Sequence, residues 1–266
     1  MRLSIAHTTT YAYEKPVRTA LQQVRLTPVS SPTQAVETWN VNVDGGLAEL
    51  CYDDEHGNKV HLVRATAGTS ALTITSAGVV ETFGQGAAIA DHASLTPLWL
   101  YRRHTSLTEA GPALRELTSQ FDASASHDIA AVHALSAAVR AAINYEVGST
   151  STFVTAEDAL VAGAGVCQDH AHVFIAAVRS LGLPARYVSG YLMMNDRVDQ
   201  DATHAWAEAW IDQLGWVGFD VSNAISPDER YVTLATGLDY ADAAPVVGVR
   251  TGTGAEQLHV EVQVQQ

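Results

Sequence analysis

Gly163-Ala164-Gly165-Val166-Cys167-Gln168-Asp169-His170-Ala171-His172 places a cysteine where a glycine-rich turn runs into an apolar stretch with helical spacing. Ala171, Phe174, Ile175, Val178 and Leu181 form one stripe and Gly182 with Pro184 supplies a stop, so the spacing predicts a helix from about Cys167 to Leu181. At a helix N-terminus the first backbone N–H groups have no intrahelical acceptor and the dipole is positive, which favours thiolate over thiol. The same N–H groups can hold an oxyanion that develops during attack on a carbonyl. A thiolate alone does not suffice. Cleaving or transferring an amide also needs an acid for the leaving amine and a base for the second acceptor, so a histidine is expected elsewhere in the chain.

His204 opens the run Thr203-His204-Ala205-Trp206-Ala207-Glu208-Ala209-Trp210, whose period of two puts His204, Trp206, Glu208 and Trp210 on one face of a strand. Asp212-Gln213-Leu214-Gly215 reads as a hairpin turn, after which Trp216-Val217-Gly218-Phe219-Asp220 returns antiparallel. Pairing arithmetic sets position 220 opposite about 207, within a few residues of His204. Asp220 is therefore the carboxylate expected to fix the tautomer of the imidazole and stabilise its cation.

Outward from this centre the chain divides. Residues 1–82 are rich in β-branched residues and turn formers, with runs such as Trp39–Asp44, Leu47–Cys51, Lys59–Arg64 and Leu72–Thr75, and predict an antiparallel β domain. Residues 83–103 mix Gly84, Gly86 and Pro97 with isolated aromatics and are expected to connect along the surface. Residues 104–266 predict an α+β unit: helices over Gly111–Phe121, Asp128–Ile143 and the cysteine helix, then strands over Arg186–Leu192, Thr203–Ile211, Trp216–Asp220 and Leu258–Val264. No internal repeat or low-complexity tract is visible.

The 266 residues carry 15 Lys plus Arg against 29 Asp plus Glu, a formal net charge of -14, and such a surface repels nucleic acid and anionic membranes. No apolar stretch approaches a membrane span, and the first residues lack the apolar core of a secretory signal, so a cytoplasmic location is expected. Two cysteines, Cys51 and Cys167, exclude a disulfide framework. Cys51, in a strand without polar company, is expected to be inert core. No nucleotide-binding glycine motif is present, so no organic cofactor is implied.

Three segments together, Gly165–His172, Arg179–Tyr191 and Ala202–Glu208, resemble the bacterial transglutaminase-like cysteine peptidases that carry a β-rich N-terminal region. Tyr11–Val17, Arg25–Pro28 and Gly237–Val246 extend the resemblance over nearly the whole chain. The resemblance implies a papain-like core, with a nucleophile helix packed on an antiparallel sheet, and a triad of Cys167, His204 and Asp220. It implies acyl transfer on peptide or carboxamide substrates through a thioester, resolved by water in a peptidase or amidase and by an amine in a transglutaminase; hydrolysis is the favoured reading. Where the family has Pro-Thr-Asn after the aspartate, this chain has Val221-Ser222-Asn223, losing a backbone restraint.

Gln168, Tyr145 and Trp206 are secondary candidates for contact with substrate or oxyanion, although Trp206, Trp210, Trp216 and Phe219 at strand spacing are first of all core. His170 or His172 either lines the cleft or packs as a buried polar group. A zinc site built from Cys167, Asp169, His170, His172 and His204 is disfavoured, because residues 167, 170 and 172 do not share a helix face. A non-catalytic binding module on the same fold is the remaining rival class. The expected partner is a peptide or protein substrate, and self-association into a homo-oligomer is left open, as is the purpose of the N-terminal β domain.

Overall fold

The computed structural model describes residues 1–83, 88–89, 96–121, 128–148, 151–200 and 202–266. Six strands come first: β1 (Arg2–Tyr13), β2 (Thr19–Thr27), β3 (Gln34–Asp44), β4 (Gly46–Asp53), β5 (Lys59–Ala65) and β6 (Ala71–Thr82), with a two-residue β7 (Ala88–Ile89) after them. Helices α1 (Pro112–Thr118) and α2 (Ile129–Ala142) follow, then β8 (Asn144–Tyr145), α3 (Ala156–Ala162), β9 (Ala164–Gly165) and α4 (Cys167–Ser180). The remainder is β10 (Ala185–Leu192), β11 (Asp199–Gln200), β12 (His204–Ile211), β13 (Gly215–Phe219), β14 (Tyr231–Gly237), α5 (Tyr240–Ala243), β15 (Val246–Thr251) and β16 (Glu256–Gln265). The fold is α+β, strand-rich antiparallel sheets followed by a unit in which α4 packs on a further antiparallel sheet.

Strict alternation decides the first layer. Along β1, Leu3, Ile5, His7, Thr9, Tyr11 and Tyr13 turn inward while their neighbours are more exposed. One sheet runs β11-β16-β1-β6-β3 and a second β15-β2-β5-β4. They bury a common core that includes Leu26, Ile74 and Val264. The same core takes Tyr191 from β10 with Val232 and Leu234 from β14, so the N-terminal sheets and the sheet that holds β10 and β14 are joined by apolar packing.

The last two strands do not stay beside the helices that precede them. β16 lies antiparallel on β1, with Val264 opposite Ile5, and β15 lies on β2. Alternation in the sequence gives the face each residue takes but not the strand it pairs with, and here the partners lie more than 200 residues away.

A third sheet, which carries His204, runs β14-β10-β12-β13-β7, and α4 packs across β12. The predicted stripe on α4 is wider in the structure: every residue from Asp169 to Arg179 is buried, since the sheet covers one side while α1, α2 and α3 pack on α4 as well. Helix α3, which the sequence spacing does not announce, begins at Thr155, whose hydroxyl accepts from Asp158 N–H, and ends at Gly163 with φ 65°. Within the 83–103 segment, residues 84–87 and 90–95 lie outside the described residues. Tyr101 corrects the surface expectation for the rest: it is fully buried on a 3₁₀ turn (Leu100–Arg102), its hydroxyl bonded to His56 Nδ1 at 2.9 Å. Its carbonyl accepts from Arg179 Nε at 2.9 Å, an anchor no local spacing reveals. Among the described residues no helix is long and apolar enough to cross a membrane.

One buried ion pair links β10 and β12. Arg186 on β10 lies opposite Glu208 on β12, its Nε 2.6 Å from Oε2, and its guanidinium sits 4.2 Å from the centre of the Trp216 ring. Arg186→Met leaves Glu208, 1% exposed, without a cation. The expected loss is about 3–5 kcal/mol by urea denaturation, with the double variant Arg186→Met/Glu208→Leu recovering most of it.

Candidate active site

The turn that delivers Cys167 is built by close approach. A Cβ at Gly165 would lie 2.6 Å from the Cβ of Asp169, so only glycine fits. β9 pairs in parallel with β8, with Tyr145 beside Gly165. Asp169 Oδ2 accepts from Val166 N–H at 2.7 Å, closing the first turn and spending the carboxylate on the backbone. Cys167 is thus the first residue of α4 and is partly exposed.

The β12–β13 hairpin carries the other two groups. Ala207 pairs with Phe219, one step from the register counted in the sequence, and Asp220 follows directly after β13. His204 Nε2 donates to Asp220 Oδ2 at 2.6 Å, and the Cys167 side chain is close enough to act on the imidazole electrostatically. Burial pulls the imidazole down, but the bond to Asp220 and the charges of Asp220 and Cys167 outweigh it and hold His204 at about 10. Asp220 shows the mirror case. Burial would raise its carboxyl, yet the bond and charge of His204, with donors Tyr231 and Asn223, hold it well below the usual carboxylate range.

Asp220 receives five donors. Besides His204, Tyr231 Oη (2.7 Å) and Asn223 Nδ2 (2.8 Å) donate to Oδ2, while Ser222 Oγ (2.7 Å) and Asn223 N–H (3.1 Å) donate to Oδ1. The loop is closed by Asp220 N–H to Ile225 O at 2.9 Å and Ile225 N–H to Asp220 O at 3.2 Å, with Ala224 at φ 56°. Without the proline, the Val221-Ser222-Asn223 segment is thus restrained by hydrogen bonds and by Val221, which is buried. Tyr231 and Ser222 were not singled out in the sequence as supports of Asp220. Tyr231 lies eleven residues further on, across the sheet, and carries no local signal.

The secondary candidates separate. Tyr145 is 48% exposed and lines a cleft of about 680 Å³ together with His204, Asn223 and Tyr231. Burial, then the nearby charges of Cys167 and Asp220, push its phenol up. Trp206 does not line this cleft: it is buried, its ring centre 6.3 Å from that of His204 at 28°, and it supports the imidazole from behind. Gln168 turns to Thr152 O at 3.4 Å. His170 and His172 are fully buried. The ring nitrogens of His170 reach Val166 O (2.9 Å) and Ile143 O (3.1 Å), tying the turn before Cys167 to the end of α2. His172 Nε2 accepts from Tyr240 N–H at 3.1 Å, and burial, with the Arg179 charge, lowers it to about 3.

Cys51 is not core. It is exposed on the edge strand β4, and its Sγ lies 3.8 Å from His61 Nε2. The expectation of inert core fails because the edge position leaves nearly all of β4 exposed. Among the described residues no group of three or more His, Cys, Asp or Glu side chains is placed to hold a metal.

A cysteine at the start of a buried helix, near a histidine that is bonded to an aspartate on an antiparallel sheet, can support cysteine-dependent chemistry, and the fold around it is of the transglutaminase-like class. Residues 115–221 match the transglutaminase-like superfamily and residues 3–81 the bacterial transglutaminase-like N-terminal region. An uncharacterized protein of Mycobacterium leprae is 31% identical over 284 residues, covering 99% of this chain and 98% of that protein. One of Mycobacterium tuberculosis is 30% identical over 99% of this chain and 91% of its own length. A crystal structure of a candidate cysteine protease from Cytophaga hutchinsonii shares the fold at a TM-score of 0.77, with 23% identity, 100% of this chain and 91% of that one covered. The chain belongs to the bacterial transglutaminase-like family.

A histidine whose folded pKa is raised from 6.5 to about 10 contributes stability that is full below about 6.5 and is lost as pH rises through about 10. The stability advantage of the wild type over His204→Gln, measured by urea denaturation, is accordingly expected to be largest near pH 6 and to shrink steadily toward pH 10.

Proposed function

We propose that the protein is a thiol hydrolase that transfers the acyl group of a peptide or carboxamide through a thioester on Cys167. The observation that carries this reading is the 2.6 Å hydrogen bond from His204 Nε2 to Asp220 Oδ2, which, with Cys167 nearby, holds the imidazole as a cation. Because Asp220 engages Nε2, the other ring nitrogen, Nδ1, is left to serve the sulfur. The Cys167 thiolate attacks the carbonyl carbon, and the oxyanion forms at the first turn of α4, where N–H groups lack helical acceptors. His204 gives its Nδ1 proton to the leaving amine or ammonia as the C–N bond breaks. It then takes a proton from water as the C–S bond breaks, returning Cys167 to thiolate.

Transamidation shares the first half of this sequence and differs only in the nucleophile that resolves the thioester. Hydrolysis is favoured because the rim of the cleft is open to water: Tyr145 is half exposed, and the side chains of Asp196 and Arg197 are 75% and 60% exposed. A binding module would have no use for a carboxylate held by five donors beneath a histidine.

The test is the rate of iodoacetamide alkylation across pH for wild type, Cys167→Ala and His204→Ala, all in a Cys51→Ala background because the exposed Cys51 would add a phase of its own. The expected result is one fast phase, with a midpoint well below the ordinary thiol value near 8.5, absent in Cys167→Ala and displaced upward in His204→Ala. A slow reaction of Cys167 that ignores the loss of His204 would sink the catalytic reading.

A further inference from the structure

Three of the fifteen basic side chains of this acidic chain, Arg140, Arg197 and Arg230, line the cleft that holds His204. Two are answered locally. Arg230 is gripped by Asp228 through both carboxylate oxygens, at 2.6 to 3.0 Å. Arg197 stands 3.7 Å from Asp196 with both side chains mostly in water, where such a pair counts for little. Arg140 is different. It is partly buried at the last turn of α2, and its bonds go to neutral carbonyls: Nε to Ser222 O at 3.1 Å and Nη1 to Ile143 O at 3.5 Å. Among the described residues no carboxylate lies within 4.0 Å of it, and Nη2 makes no hydrogen bond.

Those two carbonyl contacts give Arg140 a structural task, closing the end of α2 onto the loop that carries Asp220. They do not account for where its charge ends up. Arg140 also borders a second hollow of about 430 Å³, lined by Ala137, Ala141, Phe219 and Ile225, so the guanidinium stands at the divide between an apolar hollow and the catalytic cleft. Ser222, whose carbonyl it holds, donates its hydroxyl to Asp220 Oδ1 at 2.7 Å, which ties the cation to the loop that carries Asp220, on the cleft that His204 also lines. A guanidinium that among the described residues meets no carboxylate and keeps one edge free of protein partners is shaped for a carboxylate. In a chain of net charge -14 it is also a local reversal of a field that otherwise repels anions.

We infer that the site takes acyl donors bearing a carboxylate close to the reacting carbonyl, and that Arg140 is the residue that receives it. The inference rests on Cys167 being the nucleophile proposed above. Acidic peptides are the substrate class it names, with the apolar hollow beyond Arg140 accepting the neighbouring side chain.

Iodoacetate and iodoacetamide have similar size and chemistry and differ in charge, so the ratio of their alkylation rates at Cys167 reports the field an incoming anion meets. The His204 cation raises that ratio in every variant that keeps it; Arg140 adds to it only if its charge faces the cleft. In the Cys51→Ala background, Arg140→Gln is expected to lower the iodoacetate-to-iodoacetamide ratio by on the order of fivefold. Arg140→Lys should retain most of it, and Arg64→Gln, removing a distant exposed charge paired with Glu49, should leave it within about twofold. Raising salt should lower the ratio in the wild type itself, a readout that needs no variant to fold. As a substrate-level arm, a glutamyl peptide should protect Cys167 from iodoacetamide better than its glutaminyl counterpart. A fast, His204-dependent Cys167 phase whose ratio is the same in wild type and Arg140→Gln, or equal protection by the two peptides, overturns the role of Arg140 while leaving the acyl-transfer proposal standing. A Cys167 that reacts slowly with both reagents overturns both.

Discussion

The contact on which the site depends is the 2.6 Å hydrogen bond between His204 and Asp220, made where water hardly reaches. A buried carboxylate is costly unless it is answered, and Asp220 is answered by five donors drawn from its own loop, from β12 and from β14. That arrangement keeps the aspartate ionised, and the ionised aspartate keeps the histidine cationic. The imidazolium in turn stands near the sulfur at the start of α4. The order of dependence runs from loop to carboxylate to imidazole to sulfur.

Much of the remaining structure can be understood as bracing for that series. Trp206 and Tyr231 pack on the imidazole ring, and Gly190 has no side chain because a Cβ there would meet Trp206 at 2.5 Å. His170 ties the peptide before Cys167 to the end of α2, and His172 receives an N–H from α5. These two histidines serve packing, and their burial removes them from the solvent face where substrate would enter. The departure from the family's Pro-Thr-Asn is absorbed in the same way. Ring rigidity is replaced by the Ser222 hydroxyl, the Asn223 amide and two backbone bonds that close the loop at Ile225.

The N-terminal sheets are not an independent appendage. Their core continues into β10 and β14, and Asn58 donates to Thr236 O at 2.7 Å while its Oδ1 accepts from Thr236 N–H at 2.8 Å. β14 is also the strand that begins with Tyr231. Packing of the first 82 residues therefore reaches a donor to Asp220 in a single strand, which gives the N-terminal region a physical path to the site.

The sequence by itself determined what is periodic or local: the alternating strands of residues 1–82, the helices near 112–118 and 129–142, the cysteine at a glycine-rich helix start, and the hairpin that brings Asp220 to His204 to within one residue of register. These follow from spacings of two and 3.6 residues and from turn chemistry, which a short stretch of chain carries whole. Tertiary structure decided the rest. It placed β16 on β1, exposed Cys51 at a sheet edge, buried Tyr101, turned Trp206 behind the histidine, and set Tyr231 and Arg140 beside the triad loop. Each of those outcomes joins residues far apart in the chain, and alternation or helical spacing fixes the face a side chain takes without naming what that face will meet.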